Sequence, residues 1–384
     1  MKKIWIWACV LLLVMAGCGT SETKESLLKR REGEFARGSY EMDTEARNEQ
    51  EFEASTWMAE QEKDLDIQVL DEETSLDLEI TRSEIPSIQA DQAFSRGDWL
   101  VITGGEQNNR IQVHRRDGEN WAYAFELRTQ GENWIQDVVL TDSYLYWSEH
   151  APMGGGWSLW YITWENPEEP LEILSEAQDT AIGSEPRLFA EGDTLITELD
   201  YRTEDAGTVC QYDPASDSWT PLFSMYQMGR RLRGDERHVF AVDYDGEQWY
   251  FVRYNLETKE IDEMPLQFHY SEEIPAFVDM VGEWIVYKSN LQVMHAQNYI
   301  TGEYRTLPST FSFVGVGDRH MVYTKSRDVY IYDFEQDQHF RMDLGNLQCI
   351  NSFYSTKEMT VSLLCEEREG MQTVVQIQEK SETE

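Results

Sequence analysis

A turn pair followed by a short apolar run recurs seven times after Ser75, at intervals of 44, 51, 42, 48, 35 and 38 residues. Units of that length hold four short strands, and helical periodicity is nearly absent over the same stretch. Together with turn residues suited to tight strand reversal, these observations predict an all-β fold. The arrangement expected is a β-propeller of seven four-stranded blades, with six or eight as alternative counts, over residues 71–384.

The turn pairs are Gly97-Asp98, Thr141-Asp142, Gly192-Asp193, Gly234-Asp235, Gly282-Glu283, Gly317-Asp318 and Ser355-Thr356. Gly supplies positive φ and Asp tolerates it, so two strands can reverse within a short loop. The run after each pair is apolar on both faces, as a strand sandwiched between neighbouring blades requires. A third strand and a polar turn follow in most units, over 209–219, 249–261, 291–304 and 328–340. The last unit stops at its third strand, 373–378, one short of a full blade. The unassigned strand 76–80 upstream of the first unit is therefore expected to complete it and close the ring, which removes exposed edges.

The chain has 384 residues and carries 72 Asp and Glu against 32 Lys and Arg, a formal net charge of −40. That balance argues against a nucleic-acid partner, since phosphate contacts need a basic surface. Hydrophobic residues at 41% and aromatics at 12% supply a sizeable core and exclude wholesale disorder. The apolar residues of 20–75 keep no steady period among many acids. This stretch reads as a flexible acidic tether, with transient helix expected over 22–31 and 45–63.

At the N-terminus, Lys2 and Lys3 precede an apolar run from Ile4 to Ala16 and a small-residue exit at Ala16-Gly17-Cys18. The run is too short to span a bilayer and reads as a secretory signal over 1–17. The ending Val14-Met15-Ala16-Gly17-Cys18 resembles the lipobox of bacterial lipoproteins, with Met15 in place of the usual Leu. That resemblance implies that Cys18 is lipidated and begins the mature chain. The chain divides into the signal, the lipidated Cys with its tether over 18–70, and the propeller. The expected address is the extracytoplasmic face of the cell membrane. Cys210, Cys349 and Cys365 remain in the folded part, and a three-residue loop centred on Lys357 would set Cys349 opposite Cys365 as a candidate disulfide.

The segment Tyr212-Asp213-Pro214-Ala215-Ser216-Asp217-Ser218-Trp219 resembles the closing half of a kelch repeat, and Gly104-Gly105 with Asn120-Trp121 is similar to its double-glycine strand and following aromatic. The other units look more like the degenerate repeats of TolB-type propellers. The resemblance implies a binding scaffold and assigns no activity.

No HExxH, GxSxG or Walker-type loop is present, and the seven His are scattered singly. Neither a metal site nor a cofactor is therefore expected, and no catalytic residue is assigned. Two groups stand out as ligand-binding candidates. Arg230, Arg231 and Arg233 precede the Gly234-Asp235 turn on a strand expected to line the central channel, with Arg187 in a comparable place one blade earlier. They suit a carboxylate or phosphate, or internal pairing with Asp137 and Asp279. Trp157 and Trp160 flank the Gly154-Gly155-Gly156 loop and suit a sugar face, a protein hot spot or ordinary core packing. The reading that follows is a non-catalytic, monomeric surface lipoprotein whose propeller binds an envelope protein or glycan. The alternatives are a propeller enzyme acting on extracellular polysaccharide or peptide, and an envelope assembly scaffold.

Overall fold

The computed structural model describes residues 27–30, 43–63, 65–70, 76–85, 90–118, 120–152, 156–176, 187–200, 207–225, 232–235, 237–307, 312–349, 354–355, 361–366 and 372–380. Seven antiparallel sheets follow one another along the chain, each built as a meander from an inner strand outward. Blade 1 comprises Ala90–Arg96, Trp99–Gly104, Arg110–Asp117 and Asn120–Arg128. Blade 2 comprises Trp134–Leu140, Tyr144–His150, Trp157–Thr163 and Asn166–Ser175. Blade 3 begins at Leu188–Glu191, blade 4 at Arg233–Gly234, blade 5 at Pro275–Val281 and blade 6 at Ser312–Val316. The expected seven-bladed propeller is the fold observed.

Blade 7 is discontinuous in sequence. Its C-terminal strands Val361–Glu366 and Gln372–Glu379 are completed by Leu78–Ile85, which pairs antiparallel with the latter from Leu78↔Glu379 to Ile85↔Gln372. The strand expected to close the ring does so, extended by several residues. Leu78, Val361, Leu363, Val375 and Ile377 join one apolar cluster with Val314, Val322 and Ile331 of blade 6. On the other side, Ile85, Leu364 and Val374 pack with Leu100 and Ile102 of blade 1. A short polar seam runs beside that contact: Ser95 Oγ lies 2.5 Å from Ser362 Oγ, and Gln376 Nε2 donates to Ser95 Oγ at 2.8 Å.

Two inner strands carry a buried carboxylate that stitches one blade to the next. Asp137 of blade 2 accepts from the backbone N–H of Leu188 in blade 3, and Asp279 of blade 5 accepts from that of Gly315 in blade 6. Each also accepts from its own following residue, Val138 or Met280. A hairpin leaves inner-strand N–H groups unpaired on the channel side, and a buried carboxylate satisfies two of them at once.

The segment before the propeller, read from sequence as a tether, contributes elements that lie on the blades. Lys29–Arg30 pairs with the outer strand of blade 4, Ile261–Pro265, and Leu28 is buried in the cluster beneath it. Helix Thr44–Gln61, capped by the Asp43 carboxylate, covers part of blade 5. Ala54 and Met58 pack on Leu291 and Val293, Trp57 stacks on His269 at 4.7 Å, and Gln50 bonds both Ser271 and Glu272. Ile67–Leu70 then runs parallel to Gln338–Met342, the outer strand of blade 6. The helix has only a narrow apolar stripe, so its partners are set by the propeller surface and leave little periodic signal in the sequence.

Candidate functional site

The inner strands of blades 1 to 6 surround a cavity of about 310 Å³ at the end of the channel where the Gly-Asp turns lie. Its lining mixes apolar side chains, Phe94, Leu188, Phe189 and Phe240 among them, with the charged Arg96, Arg233, Asp235, Asp279 and Asp318. Glycines let the blades close here. A Cβ on Gly234 would strike the Phe189 ring and the His238 carbonyl, and one on Gly282, at φ 53°, would strike the backbone of Asp318.

Arg233 lines this cavity, and its positive charge acts on Asp279. Burial nonetheless dominates at Asp279 and pushes its carboxyl above the ordinary range, against the pull of Arg233 and the two backbone N–H groups. Internal pairing between channel arginine and channel acid thus accounts for part of the Arg233 environment. Asp235 behaves oppositely: burial would raise it, but the hydrogen bond to His238 and the N–H of Arg237 hold it below the usual carboxylate range.

Arg187 does not join Arg233 in the cavity lining. With the Gln136 amide turned so that its oxygen faces the guanidinium, that oxygen accepts from both Arg187 terminal nitrogens at 2.7 and 3.0 Å. Arg230 and Arg231 lie outside the described residues. The structure adds an arginine that sequence reasoning passed over. Arg96, 4% exposed, reaches from blade 1 to the Asp142 carboxylate at 3.0 Å and the Leu140 carbonyl at 3.2 Å on blade 2. The signal for it was present, because Arg96 and Arg233 each stand immediately before a Gly-Asp turn.

The two tryptophan candidates pack on different neighbours, but both contribute to the lining of one groove on blade 2. Trp157 is 5% exposed and packs on Leu199 and Cys210, in the core between blades 2 and 3. Trp160 points to the other side of the strand, half-buried, and lines an open groove of about 620 Å³ with Gln130, Asn133, Glu172 and Glu176.

Cys349 and Cys365 stand directly opposite each other on paired strands, but as two buried thiols in place of the candidate disulfide, and Ser355 pairs with Val361 nearer the turn, which is not the register of a three-residue loop centred on Lys357. A hydrogen bond to Cys349, followed by burial, pushes the Cys365 thiol far above the normal thiol range.

A chain of polar groups that resembles a catalytic relay lies in blade 5. His295 Nε2 is 2.6 Å from Glu273 Oε2 and its Nδ1 is 2.7 Å from the Tyr304 hydroxyl. Both His295 and Glu273 have fully buried side chains. The second Glu273 oxygen accepts the N–H groups of His269 and Tyr270, which pins the connection beneath the helix. Among the described residues no group of three or more His, Cys, Asp or Glu is arranged to hold a metal ion, and no helix is long and apolar enough to cross a membrane.

Comparison with solved structures places the fold among known propellers. The chain is similar to YCF48 bound to D1 peptide, with a TM-score of 0.55 and 10% identity over 83% of this chain and 100% of that one. It is also similar to the N-terminal domain of Nup159, with a TM-score of 0.50 and 12% identity over 82% of this chain and 99% of that one. No protein-family model matches the sequence, and no curated protein matches it. At such identities the likeness is one of architecture, that of a seven-bladed β-propeller.

Proposed function

We propose that the protein is a lipid-anchored extracytoplasmic binding protein, without catalysis of its own, that holds a segment of an envelope protein at the channel cavity. The observation that carries this reading is the composition of the cavity. Phenylalanine and leucine side chains line it together with both guanidinium and carboxylate groups, which suits a peptide bearing apolar side chains and mixed charge. A single-sign lining would favour a simple ion instead. The similar propeller YCF48 is seen with a bound peptide, which supports the same mode of use. The His295–Glu273 pair of blade 5 is sealed from solvent and has no route to a substrate, which is consistent with a structural role for that pair.

The test is a photo-crosslinking residue placed at Phe189, Glu191 or Asp318 in the intact chain in cells. A discrete adduct with an envelope protein, lost in Arg233→Glu, is expected. Absence of any adduct from all three positions would overturn the channel reading. The anchor is tested separately: Cys18→Ala should move the protein out of the membrane fraction, and retention there would overturn lipidation.

A further inference from the structure

The groove on blade 2 has a chemistry different from that of the channel. Its aromatic element, Trp160, is held on two sides. The indole N–H donates to Ser158 Oγ at 2.8 Å, and the ring stacks on Trp147 with centroids 6.5 Å apart and planes 16° apart. Trp147 is itself fixed by its N–H to Glu149 Oε1 at 3.0 Å. The other oxygen of Glu149, a residue 1% exposed, accepts from the Gln130 backbone N–H at 2.9 Å and from Asn133 Nδ2 at 3.1 Å. One buried carboxylate thus positions both the backing of the aromatic platform and the loop that carries the two amides. Such a site loses little entropy when a ligand arrives.

The groove's other polar groups among the described residues are the Trp157 indole N–H, the hydroxyls of Ser158 and Ser175 and the carboxylates of Glu172 and Glu176, with no Lys or Arg among the described lining residues. Gly156 allows the floor to approach Glu176, where a Cβ would sit 3.2 Å from its Oε2. A rigid indole rimmed by amide, hydroxyl and carboxylate groups matches a pyranose, which offers an apolar face and a ring of hydroxyl donors and acceptors. The two carboxylates in the lining disfavour anionic sugars by like-charge repulsion.

We infer that this groove is a carbohydrate site for neutral pyranose oligosaccharides, separate from the channel. Trp160 is the stacking platform, Gln130, Asn133 and Glu172 address hydroxyls, and Glu149 is a positioning residue. A basic peptide would use the carboxylates and lay a cation over the indole, but would leave the hydroxyls and amides without a role.

The test is calorimetric titration of the full chain in detergent with chitotetraose, cellotetraose, tri-galacturonate and tetralysine. Saturable binding of a neutral tetrasaccharide is expected, with no binding of tri-galacturonate. Trp160→Ala should weaken it about tenfold or more, and the exposed Glu172→Ala should weaken it without altering the thermal midpoint. Trp160→Phe, which keeps a ring, should recover part of the affinity. Silence from both neutral sugars, equal binding of the anionic one, or a response to tetralysine alone would overturn the inference. So would undiminished sugar binding in both Trp160→Ala and Glu172→Ala. Crosslinking from Phe189 should be unchanged in Glu172→Ala, which keeps failure here distinct from failure of the channel reading.

Discussion

Replacing Asp137 by Ala tests whether buried carboxylates hold adjacent blades together. Asp137 is 3% exposed and accepts two backbone N–H groups, from Val138 at 3.1 Å and from Leu188 of the next blade at 3.1 Å. Alanine leaves both donors without their acceptor. Each orphaned buried donor costs about 1–3 kcal/mol, so the variant should lose about 2–6 kcal/mol of stability. Equilibrium urea denaturation followed by tryptophan fluorescence reads this directly. The midpoint should fall while the slope stays that of the parent, because the surface exposed on unfolding is the same. Asp279→Asn provides the contrast. Its carboxyl is pushed up by burial, so the neutral amide removes a costly charge while its oxygen can keep one of the two acceptor contacts. It should destabilise less than Asp137→Ala. A loss below about 0.5 kcal/mol for Asp137→Ala, the range of ordinary surface changes, would refute the stitching argument.

Further outcomes follow from the same structure. Burial depresses the His339 imidazole to about 4, and its Nδ1 lies 2.8 Å from the Tyr323 hydroxyl, which can donate to the neutral ring. The folded value lies below the ordinary 6.5, so this contribution is complete above that pH and is lost as pH falls through about 4, a change of about 3 kcal/mol. His339→Gln should flatten the acid limb of the stability profile, and an unchanged limb would count against it. Truncation of residues 1–86 removes Leu78–Ile85 and bares the edge of Gln372–Glu379. The truncated chain should aggregate or lose cooperative unfolding, and a monomer of parental stability would contradict ring closure by that strand. Cys349 and Cys365 face each other directly, and opposed residues on paired strands have Cα separations within disulfide range. Refolding in a glutathione redox buffer should therefore join them, reducing one glutathione disulfide to two thiols, and leave Cys210 as the one thiol alkylated after denaturation. Alkylation of all three would oppose it.

Strand content, blade number and ring closure were legible because each depends on short-range physics or simple counting. A Gly-Asp pair reverses the chain wherever it falls, and apolar runs on both faces mark sandwiched strands in any setting. A final unit one strand short left Leu76 to Ile80 as its complement. The neighbour of each side chain was not legible, because residues roughly a blade apart in sequence meet only after the ring has closed. That is why Arg187 found Gln136, why Arg96 went unnoticed until it reached Asp142, and why Trp157 and Trp160, three residues apart, went to opposite faces of one strand. The helix at Thr44–Gln61 makes the same point, since its narrow apolar stripe acquires meaning only on the surface formed by Leu291 and Val293. Sequence by itself determined the repeat and its turns; tertiary structure decided which polar groups are consumed between blades and which are left to meet a ligand, because that depends on distances set by closure of the whole ring.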